Sequence, residues 1–447
     1  MLFARTLIAS NPSALLEHIS RLPPSLKHHN LLFTLSLAIP ADVLSALVSA
    51  LSTFSVATNV GSLSAPLPGH ETAHACALAV FDKAHSLPFR SDIPGRIQAQ
   101  VGKWHQMREG VRGEKRWNAV ESVPTEGADW EKVWGRIAGD DQLPSLLKIS
   151  EPKAVHTVLM LTDNAPQGLN NALSVFPNAT KLGMIAASTP FVTGRPYTLF
   201  HNTSVYSSGA VGIALSHHSS VDIPPHLRTD FPGLTPMTDV LTVTRSEGNL
   251  VHELDAANPS RLLLDSIAAL GIDGDAAKED KFFLGVLPDD STTCSQMYHI
   301  MSGDPSRGTI ALESDAAPGV GTRVQVNLLS PFLRPNFSEL FHRSAKTPVS
   351  LSLPNHTPHR HLTFVNVSQD HPSTAASPHD LRDIASTDDV TVLDSAFVGA
   401  SENGFVCSRP DGAKKDSSLL DSGAWGERAW TCSVAGGTAG LTWRSTP

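Results

Sequence analysis

Short apolar runs bounded by Gly, Pro, Asn and Asp recur along the chain, some with the two-residue period of strands and others with the 3.6-residue period of helices. Phe3 to Ser10 reads as a strand. Asn11-Pro12-Ser13 then offers a capping side chain and a proline whose fixed φ suits a first helical turn, so a helix is predicted over Ala14 to Leu22. Leu31 to Leu37 is the next apolar run, Pro40 and Asp42 open a second helix through Leu51, and Val56 to Val60 leads into Gly61 as a third strand. The first sixty residues therefore predict β-α-β-α-β.

Ala75 to Phe81 is another buried strand, followed by the Pro- and Gly-punctuated segment Leu87 to Gly95. Between Gly102 and Ser150 the chain turns polar and carries Trp104, Trp117, Trp130 and Trp134, which predicts a loop with one or two short helices. These tryptophans either anchor the loop by packing or line an aromatic pocket. Val155 to Thr162 is a strong strand ending in Asp163, Gly168 to Phe176 a helix, and Leu182 to Ala187 and Val205 to Leu215 two further strands. Loop signals from His217 to Pro236 mark the expected domain boundary.

Beyond that boundary, Val240 to Thr244 and Val251 to Leu254 flank a Glu247-Gly248-Asn249 turn, and Pro259 to Leu270 has helical spacing. Phe282 to Leu287, Met297 to Met301, Thr309 to Leu312 and Arg323 to Leu328 add four strands. After Asn336 the chain becomes rich in Ser, His and Pro, and Asp370 to Asp389 is expected to be a mobile insertion. Order resumes at Val390 to Glu402 and Gly404 to Cys407, and Ala429 to Trp443 resembles a terminal hairpin. The pattern predicts a mixed α/β protein of two sheet-containing halves with helices packed on the sheets: residues 1–216, a linker over 217–236, and 237–447.

Composition narrows the function classes. With 447 residues, 41% hydrophobic and 17% charged, the chain can build a large core, and roughly 100–200 residues per domain gives two to four domains. The formal charge of −9 and the absence of a basic stripe argue against a nucleic-acid surface, which needs clustered cations. Cys76, Cys294, Cys407 and Cys432 are too dispersed for a CxxC metal motif or a dense disulfide scaffold, so a reducing cytoplasm is the expected compartment. Arg5, Arg21 and the Ser and Leu residues of Met1 to Leu22 leave a mitochondrial presequence as the alternative, against which stands Glu17. No apolar run reaches about 18 residues, so no membrane span is expected. Asn178, Asn202, Asn336, Asn355 and Asn366 stand in glycosylation sequons, read as chance matches in a cytoplasmic chain.

Catalytic motifs are missing. There is no Gly-x-Ser-x-Gly, no His-Glu-x-x-His and no P-loop, and neither Gly319-x-Gly321 nor Gly436-Gly437-Thr-Ala-Gly440 has the βαβ setting of a dinucleotide site. His356, His359 and His361 have metal-ligand chemistry but lie among prolines without a nearby Cys or carboxylate, so neither a metal nor another cofactor is expected. The best binding candidate is the turn Ser302-Gly303-Asp304-Pro305-Ser306-Arg307-Gly308. Its glycines permit positive φ, its proline fixes φ, and Arg307 is its one cation, so a carboxylate could dock on the guanidinium and the backbone N–H groups of Gly303 and Gly308. A rigid turn that only sets strand register is the competing reading. Glu253 and Asp255 alternate along a strand and would take an ammonium group on one side or form a solvated face. Asp163, at a strand's carboxyl end, is either ligand-facing or a turn residue.

Five segments in order, Val155 to Asp163, Phe176 to Gly183, Val205 to Leu215, Glu247 to Asp255 and Ser302 to Gly308, together resemble a FIST-domain protein, the first three its N-terminal half and the last two its C-terminal half. The similarity runs from about Phe3 to Leu328. Phe405-Val-Cys407-Ser-Arg409 is a partial echo of the family's Cys-x-Gly-Arg-like element, and Ala435 to Gly440 of its closing Gly-rich strand. The resemblance implies a sensory role in signal transduction with a small ligand such as an amino acid, and no enzymatic activity. Relatives that carry an F-box imply an alternative, a protein-interaction platform or substrate adaptor of the ubiquitin machinery. A strand beginning at residue 3 leaves no room for an F-box, so that arrangement is not expected. The expected ligand site is a cleft between the halves, with Arg307 on the carboxylate and Glu253 or Asp255 on the amine.

Overall fold

The computed structural model describes residues 1–55, 57–93, 143–217, 225–271, 281–288, 291–314, 316–329, 359–367, 390–409 and 429–443. The four tryptophans of the expected loop and the expected insertion at 370–389 lie outside them. The mixed α/β class holds, with strands well in excess of helices.

The first unit contains β1 (Phe3–Ala9), α1 (Pro12–Ser20), β2 (Asn30–Ser36), α2 (Ala41–Phe54), β3 (Asn59–Ser64) and β4 (His74–Phe81). β4 runs antiparallel between β1 and β2, and β2 is parallel to β3. The two-residue period sorts the side chains. Leu7, Leu31, Phe33, Leu35, Leu63 and Leu78 face the helices, where Leu15, Ile19, Leu47 and Leu51 complete an apolar layer. Each such fully buried leucine stabilises the fold by about 1.5–3 kcal/mol relative to exposure. Ala4, Leu32, Val60, Ala77 and Phe81 point the other way, into the main core. Asn11 starts α1 as anticipated, its Oδ1 accepting from the Ser13 N–H at 3.0 Å.

The second sheet follows with β5 (Ser86–Ser91), β6 (Val155–Thr162), α3 (Gln167–Ala172) and β7 (Thr180–Ile185). After α4 (Pro190–Thr193), the chain makes β8 (Leu199–His201), β9 (Ser204–Tyr206) and β10 (Ala210–Ser216). β6-α3-β7 is a parallel crossover, and β10 lies antiparallel between β6 and β5. Leu159, Leu161, Leu182 and Met184 meet the inner face of the first sheet, while Val158 and Met160 pack under Leu169, Leu173 and Phe176 around α3. The Pro-punctuated segment after Phe81 proves to be β5, an edge strand, where Pro88 loses no ladder bond. The apolar run Val205 to Leu215 splits at Gly209, whose φ of +79° turns the chain between β9 and β10.

Next come β11 (His226–Asp230), β12 (Leu234–Pro236), β13 (Leu241–Glu247), β14 (Leu250–Leu254), α5 (Pro259–Ala269), β15 (Phe282–Val286), β16 (Gln296–Asp304), β17 (Thr309–Leu312) and β18 (Arg323–Leu329). Neighbours run antiparallel in the order β13-β14-β17-β16-β15-β18, and β18 also pairs with β13, so six strands close into a barrel with no free edge in the ring. The expected linker over 217–236 thus contains two strands, β11 and β12, which extend other sheets.

The last strands, β19 (Arg360–Asn366), β20 (Val390–Asp394), β21 (Ala396–Ser401), β22 (Phe405–Ser408), β23 (Trp430–Cys432) and β24 (Thr438–Trp443), return to the first half. β20 pairs with β1, β22 with β7, and β19 lies between β21 and β24, so hydrogen bonding crosses the expected division into 1–216 and 237–447. The expected terminal hairpin does not form. β23 borders β22 and β24 joins β19 and β11, because the chain turns at Gly436, φ +78°, and changes sheet. Among the described residues no helix is long and apolar enough to cross a membrane.

Candidate functional site

Ser302, Gly303 and Asp304 end β16 and pair with Ala311, Ile310 and Thr309 of β17, so the predicted turn is the tip of a hairpin. Asp304 Oδ1 accepts from the Ser306 N–H at 2.9 Å, the Ser306 hydroxyl at 2.6 Å and the Arg307 N–H at 3.1 Å, and the Gly308 N–H donates to the Asp304 carbonyl at 2.7 Å. Of the two N–H groups expected to receive an anion, Gly303 and Gly308, that of Gly308 is therefore spent inside the turn, together with those of Ser306 and Arg307, as in an ordinary Asx-type turn. These bonds also hold the Asp304 carboxyl below its usual range, the Ser306 hydroxyl contributing most. Arg307 is 84% exposed and its Nε lies 3.6 Å from Asp304 Oδ2. Gly308 has φ +77° and sits over Asn258, the N-cap of α5.

The other predicted carboxylates also have local partners. Glu253 pairs with Arg245 across β13–β14 at 3.9 Å. Asp255 has left the strand with φ +49°, and its Oδ1 accepts from the Thr242 N–H at 3.0 Å, so the two do not form one carboxylate face along a strand. Asp163 binds with both oxygens, accepting from the Ala165 N–H at 2.9 Å and the Gly209 N–H at 2.6 Å, and thereby ties the end of β6 to the turn before β10. Among the described residues no hydrogen bond or ion pair links Asp163, Glu253, Asp255 and Arg307 to one another.

One residue beyond Asp163, a cleft of about 160 Å³ opens where the carboxyl ends of β6 and β7 meet the barrel. Its walls include Asn164, Gln167, Glu313, Asn403, Thr431 and Ser433. The volume is below the roughly 300–1,000 Å³ of drug-sized pockets and suits a metabolite-sized group. An aromatic cluster joins the two walls: Trp430 of β23 lies tilted against Tyr298 of β16 at 6.1 Å and edge-on to Phe405 of β22 at 6.1 Å.

Glu313 follows β17 and supplies the charge. Its Oε2 lies 3.2 Å from His299 Nδ1 and accepts from the Ser433 hydroxyl at 3.1 Å. An ionised carboxylate only accepts, so Nδ1 of His299 carries the proton in this contact. The His299 hydrogen bond, joined by its charge and the Ser433 hydroxyl, holds the Glu313 carboxyl below its ordinary value in spite of partial burial. Among the described residues Oε1 has no partner. Gln167, at the start of α3, is 7% exposed and its Oε1 has no hydrogen-bond partner among the described residues, an unusual state for a buried amide. Asn403 is fastened through its N–H to Ser401 Oγ at 3.0 Å and through Nδ2 to the Ala186 carbonyl at 3.0 Å.

Cysteine chemistry finds no support at the site. Burial pushes the Cys76 thiol up to about 12 and Cys294 to about 11, and raises Cys432 as well. Among the described residues no three His, Cys, Asp or Glu side chains are grouped to hold a metal. His361 Nδ1 lies instead 3.1 Å from Thr442 Oγ1, and His356 is outside the described residues.

Fold and cleft define a strand-rich α/β protein with a small polar cleft between a crossover sheet and a barrel. Residues 36–257 match the FIST N domain, a sensory domain of signal transduction. That stretch runs from the end of β2 past β14 and supplies Asn164 and Gln167, whereas Glu313, Asn403, Thr431 and Ser433 come from beyond it. No curated protein matches the chain.

Proposed function

We propose that this chain is a FIST-type sensory protein that binds a small polar ligand, of amino-acid size, in the cleft between its crossover sheet and the barrel, and performs no chemistry on it. The carrying observation is that one cleft is lined both by Glu313, with one oxygen pinned and the other without a partner among the described residues, and by Gln167, a buried amide whose carbonyl lacks a partner among them. A buried amide carbonyl is costly to leave unsatisfied and becomes favourable when a ligand supplies the missing bond. The match of residues 36–257 to a sensory domain supports the same reading. The hairpin at Ser302 to Gly308 then serves as a rigid strand connection and Arg307 as a surface charge.

A thermal-shift panel of amino acids, small amines and small carboxylates tests this. At least one member should raise the melting temperature in a saturable way, Gln167→Ala should weaken the effect, and Arg307→Ala should leave it intact. No stabilisation by any member, or loss of the shift in Arg307→Ala alone, contradicts the proposal.

A further inference from the structure

Resting on that cleft, we propose its ligand class: an organic cation with two or more N–H donors, a primary ammonium, amidinium or guanidinium, whose charge is met by Glu313 Oε1. Glu313 is the one charged residue among the described walls, whose other polar groups are amides and hydroxyls. A carboxylate accepts and never donates, and His299 and Ser433 both occupy Oε2, so Oε1 keeps its accepting capacity for a donor that enters the cleft Glu313 lines. Its position is set before binding, since it is tied to β16 through His299, whose ring lies 5.3 Å from Phe283, and to the segment after β23 through Ser433. Lys281 also acts on Glu313 electrostatically, but among the described residues the only ion pair of Glu313 is with His299.

A ligand carboxylate or phosphate would face Glu313 with no Lys or Arg among the described wall residues to offset it. An ammonium or guanidinium reverses that sign and has N–H groups left over for a second acceptor. Gln167 offers one, because its amide can present either end by a half-turn about its last torsion. The formal charge of −9 draws cations toward the whole molecule.

The test is calorimetric titration and thermal shift of the full chain with three cationic probes, agmatine, ethanolamine and guanidinium, against acetate, inorganic phosphate and glycerol. Agmatine or another cationic probe should bind one to one, more weakly as salt rises. Glu313→Gln should lose roughly 10- to 100-fold in affinity, the effect of removing a hydrogen bond to a charged group. Gln167→Lys, which keeps Glu313 but places an ammonium in the cleft, should compete with the ligand and abolish binding even if Glu313→Gln fails to fold. Cationic probes that bind wild type and Glu313→Gln equally overturn the inference. Binding of acetate, phosphate or glycerol with no response to the cations overturns it while leaving the cleft reading in place, and no response to any probe here or in the wider panel removes both.

Discussion

Glu313 sets the chemistry of the cleft, and nothing around it in the chain announces that role. Its two partners lie 14 and 120 residues away, so no local spacing reveals the contact. The turn roles of Asp163 and of Asp304 to Gly308 were legible where their bonds reach only two to four residues along the chain, whereas the bond from Gly209 to Asp163 spans 46 residues and was not. Asp163 lies, as read, at the carboxyl end of β6, and the neighbouring residues that open onto the cleft are Asn164, Pro166 and Gln167. Glu313 also makes a pH prediction. Its folded carboxyl titrates below the unfolded one, so the unfolded chain takes up the proton first as pH falls. The stability it contributes is present in full above the ordinary carboxyl value of about 4.3 and is lost as pH falls through the folded value. The melting-temperature gap between wild type and Glu313→Gln should therefore narrow on acidification below about pH 4. A gap that stays constant from neutral pH into that range contradicts the assignment.

At the level of elements, the strands of the barrel and of the β-α-β-α-β opening were readable from apolar runs: β2 and β3 are buried on both faces and β17 alternates, while β13 and β16 were found from the short apolar stretch each contains. β5 and β19 were not: Pro88 and the Ser, His and Pro around Arg360 resemble loop chemistry until the sheet shows that one is an edge and the other is held between β21 and β24. α5 shows how an element steadies a neighbour. Asn258 Oδ1 accepts from the Arg261 N–H at 3.0 Å to cap the helix, while the rest of its amide packs beneath Gly308, and Ser260 Oγ donates to the Thr309 carbonyl. Asn258→Ala should cost about 1 kcal/mol, within a range of 0.5–2, from the lost cap. Chemical denaturation should show that loss with ligand affinity unchanged, since neither residue borders the cleft. A fall in affinity as large as the effect of Gln167→Ala would show that the hairpin and the cleft are coupled.

For the whole molecule, the return of the chain after residue 359 is the feature that sequence patterns missed, since strand order in a sheet is set by non-local pairing. β20 covers the edge of β1, β22 covers β7, and the cleft draws walls from residues 164 to 433. A chain cut after residue 329 should lose β19 to β24, expose the edges of both large sheets and unfold or aggregate instead of leaving an intact first half. Hydrogen exchange checks this: protection in β1 and β7 equal to that of the full chain would contradict the architecture.

The central claim is that the ligand sits between Gln167 and Glu313 and not at the hairpin tip. A crystal structure of the full chain with agmatine bound tests it most directly. The account predicts density for the cation in the cleft, with a nitrogen within hydrogen-bond distance of Glu313 Oε1. Density only beside Ser302 to Gly308, or an empty cleft in a crystal grown at saturating agmatine, would contradict it.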